Sequence, residues 1–178
     1  MSNMSIETNR NPNENNILKY NDLVNNRQRP MSVTDLPWVY EIMNKHKFDN
    51  PYNVGKWMLF CDKLHLDELW IKISQLYQDG MLPGVISMKC STNYKNPRAS
   101  NQSDGVIIIY CNNSHEEDDI MRCGHNIIEK LQYKSQNLIY YKTDDMTHTG
   151  TRATGQQLNH LYKIVNPLFV DDFSKCLL

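Results

Sequence analysis

Between Lys56 and Ile164, short apolar runs alternate with two stripes at helical spacing, and this order limits the fold more than any single motif. The first run is Lys56-Trp57-Met58-Leu59-Phe60, which predicts a strand. Leu66, Leu69, Trp70, Ile73, Leu76 and Tyr77 then recur at the i, i+3, i+4, i+7 spacing of a helix buried along one face. Gly80 and Pro83-Gly84 end that helix. A short strand is predicted over Val85 to Met88, and a stronger one over Asp104 to Tyr110, where β-branched residues dominate. Ser114-His115-Glu116-Glu117 reads as a capping box, opening a second helix with the stripe Ile120, Met121, Gly124, Ile127, Ile128 and Leu131. Gly124 costs that helix about 1 kcal/mol relative to alanine. The expected return is a close approach of helix to sheet. A third strand is predicted over Leu138 to Tyr141. Periodicity alone leaves a parallel sheet open.

The chain has 178 residues, enough for one domain with a real core and too few for two comfortable ones. Lys and Arg number 19 against 20 Asp and Glu. That balance argues against a surface that grips nucleic acid all over, but it leaves room for a local basic pocket. Cys61, Cys90, Cys111, Cys123 and Cys176 show no CxxC pair and no zinc spacing. They read as reduced structural thiols of a cytoplasmic or nuclear protein, with no metal and no cofactor expected. No apolar run approaches the roughly 20 residues that span a bilayer, and no signal peptide opens the chain. Residues 1–30 are polar and rich in asparagine, so they are expected to form a disordered tail before a single domain over 31–178. Within the tail only Ile17 to Val24 offers a segment that could dock as a short helix.

Several residues carry candidate chemistry. Lys89 interrupts an apolar strand, so its side chain either faces the open side of a sheet or lies half-buried against an anion. Lys142-Thr143-Asp144-Asp145 is either a pocket mouth with a cation and a hydroxyl or a polar exit from a strand. Thr147 to Gly155 holds four threonines, two glycines and Arg152. Glycines admit backbone amides to an anion, Thr149 and Thr151 add donors, and Arg152 can grip phosphate at two points. The plainer reading is a solvated loop, and the GxxxxGK[ST] spacing of a Walker loop is absent. Trp57 and Trp70 read as core. Trp38 follows Pro37 outside both helical stripes, which leaves it as a stacking ring or a core residue. The six histidines show no metal spacing, and only His148 is placed for proton transfer. Glu116 to Asp119 suit the positive end of a helix dipole.

Taken together, Gly55-Lys56-Trp57, Leu66-Asp67-Glu68-Leu69-Trp70, the strand carrying Lys89, the Tyr140-Tyr141-Lys142-Thr143-Asp144 strand end and the threonine loop form an ordered set. The set resembles the mRNA cap-binding translation initiation factor 4E, and more closely the BLES-type family with that fold. The resemblance covers roughly 110 residues, and no single motif within it is specific. It implies an α+β fold: a curved, mainly antiparallel sheet with helices packed on one face, truncated at the N-terminal third. It also implies phosphate-reading cations at Lys89, at the loosely placed Lys95 and Arg98, and at Arg152 in the closing loop. Trp38 stands near the place of one of the two tryptophans that sandwich methylated guanine, with Glu41 as its acidic partner. The second sandwich tryptophan has no counterpart, because the polar tail contains Tyr20 and no tryptophan.

The function expected from this reading is recognition without chemistry. Lys89, Lys142 and Arg152 would hold phosphate oxygens of a nucleotide or RNA, with Thr143, Thr149 and Thr151 adding donors and Trp38 stacking on a base. Stacking of this kind is worth roughly 1–3 kcal/mol per base. An alternative is a phosphothreonine-lyase-like enzyme, which some BLES-type relatives resemble, using Lys89, Lys142 and His148 for proton transfer and Arg152 on the phosphate. A protein-interaction adaptor is a third, since the helix bearing Trp70 can lie near a partner groove in such folds.

Overall fold

The computed structural model describes residues 29–42, 54–95, 102–111, 116–148 and 160–169. Six strands make one open, curved sheet: β1 (Trp38–Ile42), β2 (Gly55–Asp62), β3 (Val85–Ser91), β4 (Asp104–Cys111), β5 (Leu138–Thr143) and β6 (Tyr162–Val165). Their order is β1-β3-β4-β2-β5-β6, and every pairing is antiparallel. The helices are α1 (Lys63–Gln78), α2 (Glu117–Leu131) and the short α3 (Asp144–His148). A 3-10 turn over Pro30–Ser32 precedes β1. This is the α+β architecture expected, and it excludes the parallel sheet that periodicity had left open.

The period-2 geometry of a strand sends successive side chains to opposite faces. On one face Trp57, Leu59, Met88, Cys90, Ile107, Ile109, Ile139 and Tyr141 are buried. They share one cluster with Leu66, Trp70, Ile73 and Tyr77 of α1 and with Ile120, Ile127, Ile128 and Leu131 of α2. Trp57 and Trp70 are thus core, as their positions implied. At Gly124 an added Cβ would stand 2.5 Å from Ile164 Cδ1 and 2.7 Å from Trp57 Cζ2. The glycine is the contact through which α2 sits on the sheet.

Local signals explain where the elements begin. Helix α1 starts at Lys63 because the Asp62 carboxylate accepts the Leu64 N–H at 2.8 Å. Helix α2 starts at Glu117 behind Glu116, which makes no side-chain cap bond. Ser114, the serine of the expected capping box, lies outside the described residues. Glu117, Asp118 and Asp119 do fill its first turn, as the dipole favours. Thr147 and His148 belong to α3 rather than to a loop. Thr143 Oγ1 accepts the Met146 N–H at 3.2 Å, and Asp144 and Asp145 occupy the first turn, which together start that helix. Strands β1 and β6 were not anticipated, so Trp38 lies in a regular element after all. The expected tail up to residue 28, including Ile17 to Val24, lies outside the described residues.

Candidate functional site

With α1 and α2 packed against one face, the other face carries the alternate residue of each strand. The register places these residues in rows. Tyr40 pairs with Lys89, Lys89 with Ile108, Ile108 with Met58, and Met58 with Tyr140. One step along the strands, Ile42 pairs with Ser87, Ser87 with Tyr110, Tyr110 with Lys56, and Lys56 with Lys142. Three lysines and three tyrosines from five strands therefore share one face. Trp38 opens the third row opposite Ser91.

The side chains connect these rows. Lys89 is half-buried, with its Nζ 4.7 Å from the centre of the Trp38 ring and 5.4 Å from that of Tyr110. Lys56 Nζ lies 5.6 Å from the same Tyr110 ring and 2.5 Å from Asp144 Oδ1. The result is a continuous chain, Trp38–Lys89–Tyr110–Lys56–Asp144. Cations over aromatic faces are attracted by the ring quadrupole, more strongly where water is displaced. Lys56 and Lys142 stand directly opposite each other and are both only 7% exposed. Like charges so placed repel, and Asp144 offsets part of that at Lys56. Burial pushes the Tyr110 phenol up from its ordinary value, although the Lys56 cation pulls it down. The Tyr110 ring thus lies within reach of two ammonium groups, those of Lys56 and Lys89. At the far side of the face the Tyr140 and His160 rings lie 4.7 Å apart.

The structure brings together part of the expected set. Trp38, Lys89 and Lys142 share this face, Lys89 on its open side and Trp38 outside the core. Lys89 and Lys142 lie on strands separated by β4 and β2, about 14 Å at the usual strand spacing. Thr143 ends β5, where its hydroxyl oxygen serves the start of α3. Lys95 is exposed beyond the end of β3. Glu41 is not beside the Trp38 ring. Three positions along a strand is an odd step, so its carboxylate faces the helices and accepts from Gln78 Nε2 at 3.0 Å. Arg98, Thr149, Thr151, Arg152 and the side chain of His148 lie outside the described residues. Sequence reasoning missed Lys56 and Tyr110 as site residues. The available signal was parity: Lys56, like Lys89, is a cation at the outward position of an apolar strand. Among the described residues no group of three His, Cys, Asp or Glu could hold a metal, and no helix is long and apolar enough to cross a membrane. The described cysteines are free thiols.

Among solved structures, this sheet and its helices define the fold of the cap-binding factor eIF4E. A schistosome eIF4E complexed with m7GpppA and 4E-BP aligns with a TM-score of 0.58 over 83% of this chain and 81% of its own, at 19% identity. Ascaris suum eIF4E-3 with the m2,2,7G cap aligns at 0.55 over 83% and 80%, at 15% identity. C. elegans eIF4E-3 with the 4E-binding protein Mextli and a cap analog aligns at 0.54 over 75% and 77%, at 12% identity. No curated protein sequence matches the chain. Residues 36–150 match the family described as Basophilic leukemia-expressed protein Bles03, and the chain belongs to that family.

Proposed function

We propose that this protein is a recognition domain that binds a nucleotide, or the phosphates of RNA, on the open face of its sheet. The observation that carries this reading is the chain Trp38–Lys89–Tyr110–Lys56, with Lys142 opposite Lys56, on the face away from α1 and α2. Such a face combines rings on which a base can stack with cations that attract phosphate. Two of the solved structures that share the fold hold cap nucleotides. The separation of Lys89 and Lys142, about 14 Å between strand axes, suits a run of phosphates better than a single one. It also favours recognition over β-elimination, which needs an acid and a base within about 3 Å of one substrate's reacting atoms.

The test is calorimetry of the full chain against GTP, ATP and a short single-stranded RNA at low and high salt. Lys142→Gln should weaken binding by about 1.5–3 kcal/mol, the worth of a hydrogen bond to a charged group. Trp38→Ala should cost about 1–3 kcal/mol of affinity if a base stacks there. Parent affinity should fall with salt, but less steeply than for a protein that tracks a long backbone. Variants that bind like the parent at both salt concentrations would falsify the reading.

A further inference from the structure

We infer that Lys89 makes the aromatic end of this face selective for uncharged bases, so that the ligand is an unmethylated nucleotide rather than a cationic, N7-methylated one. The inference rests on the nucleotide reading above and names the specificity of that same site. Its starting point is where the Lys89 ammonium sits: 4.7 Å from the Trp38 ring centre and 5.4 Å from that of Tyr110. A cation between two aromatic rings already uses the attraction that those rings would offer to a cationic base. The protein supplies its own occupant.

The sheet register places this lysine. Lys89 pairs with Tyr40 on one side and Ile108 on the other, and the two rings belong to residues diagonal to it on β1 and β4. Diagonal neighbours on one face lie within reach of long and aromatic side chains. The ammonium is therefore set between Trp38 and Tyr110 by three paired strands. Two carboxylates among the described residues are engaged elsewhere. Glu41, on the adjoining strand, faces the helices and accepts from Gln78, while Asp144 is engaged with Lys56. Among the described residues Lys89 makes no ion pair.

These facts separate two kinds of base. Methylation at N7 gives guanine a positive charge spread over the ring. Stacked on Trp38 or Tyr110, that ring would meet the Lys89 ammonium at a distance where unit charges repel appreciably, even with partial screening. A neutral guanine or adenine meets no such repulsion, and its phosphates gain from Lys89 and Lys56. The fold neighbours complexed with m7GpppA and m2,2,7G caps hold the methylated kind. In this chain the carboxylate on β1 points away from the rings, and a cation stands over them.

The experiment compares GTP with 7-methylguanosine triphosphate by calorimetry on the full chain, at a pH low enough to keep the methylated base cationic. The parent should bind GTP about tenfold tighter or more, and the ratio should shrink as salt screens the repulsion. Lys89→Met, which keeps the length of the stem, should narrow the ratio to about threefold or reverse it, by weakening GTP and sparing the methylated ligand. Lys89→Gln serves the same purpose if the methionine variant does not fold. A parent that binds the two ligands equally, or the methylated one more tightly, overturns the inference and leaves the nucleotide reading standing. A parent that binds neither removes the nucleotide reading, and the inference with it.

Discussion

Lys56 and Trp57 are neighbours in β2, yet one joins a basic, aromatic face and the other has no exposed surface at all. The difference is parity alone. On the helix-covered face each strand contributes apolar groups to one continuous core. On the open face the same strands present Lys89, Lys56, Lys142, Trp38 and Tyr110. The covered face holds the fold together, and the other face carries charge that the apolar core could not tolerate.

The sharpest way to break that comparison is to truncate one tryptophan on each face. Trp57→Ala should destabilise the protein by about 3–5 kcal/mol in denaturant unfolding, the usual loss for a large buried aromatic. Trp38→Ala, at the half-exposed start of an edge strand, should cost less than about 1 kcal/mol. Equal losses would mean that Trp38 is a core residue, and the open face would lose its stacking ring.

Gly124 tests how closely the covered face is packed. Alanine there gains about 1 kcal/mol of helix propensity. Against that, its Cβ would fall within 2.8 Å of the Trp57 ring and the Ile164 terminal methyl. Overpacking a core costs about 1–3 kcal/mol. The clash should win, with Gly124→Ala less stable by about 1–2 kcal/mol. A more stable variant would show that α2 can lift from the sheet at little cost.

How far the sequence could be read follows the same division. The stripes Leu66 to Tyr77 and Ile120 to Leu131 belong to long helices, and the Val106 to Tyr110 run is strongly β-branched, so these elements were legible. Strands β1 and β6, of five and four residues, sit at the sheet edges and mix polar with apolar groups. Too few positions repeat there for alternation to stand out. Lys89 was legible as a cation in an apolar strand. Its contact with Trp38 was not, because it depends on the pairing of β1 with β3. Lys56 and Tyr110 meet only through the register of β2 with β4. Glu41 shows the same limit from the other side. Its nearness to Trp38 in sequence suggested partnership, and the strand sends it to the opposite face.

Asp144 links stability to binding on the open face. Its carboxylate is the ion partner of Lys56, whose side chain is only 9% exposed while that of Asp144 is 35% exposed. Removing one partner of a fully buried pair costs about 3–5 kcal/mol, but the exposure of Asp144 reduces this. Asp144→Asn should destabilise by about 1–2 kcal/mol. The same change frees the Lys56 charge, so affinity for a nucleoside triphosphate should rise. Stability and affinity moving in opposite directions is the signature. A joint fall would place Asp144 in direct contact with the ligand.

The smallest effect belongs to a polar atom on the covered side. Tyr141 is fully buried, and its hydroxyl has no hydrogen-bond partner among the described residues. An unsatisfied buried hydroxyl carries a desolvation penalty of about 1–3 kcal/mol, and phenylalanine removes it while keeping the ring. That ring packs 5.2 Å from Trp57, an arrangement the substitution preserves. Tyr141→Phe should therefore be more stable by about 1 kcal/mol, the one stabilising change in this series. The pH dependence offers a second readout. Burial first, then the neighbouring Cys111 and Cys123 thiols, pushes the Tyr141 phenol well above its ordinary value of 10.0. A group whose folded pKa is raised stabilises the protein fully below its unfolded pKa, and that contribution is lost as pH rises towards the folded value. Cys61, raised by burial from 9.0 to about 11, acts in the same direction between those two values. The parent should lose stability steadily above about pH 9, through the buried Cys61 and Cys90 first, and through Tyr133 and Tyr141 from about pH 10. Tyr141→Phe should keep the cysteine and Tyr133 parts of that slope and make it shallower above about pH 10. An unchanged alkaline slope would mean that the Tyr141 hydroxyl reaches water in the folded protein, and the covered face would be less closed than its packing indicates.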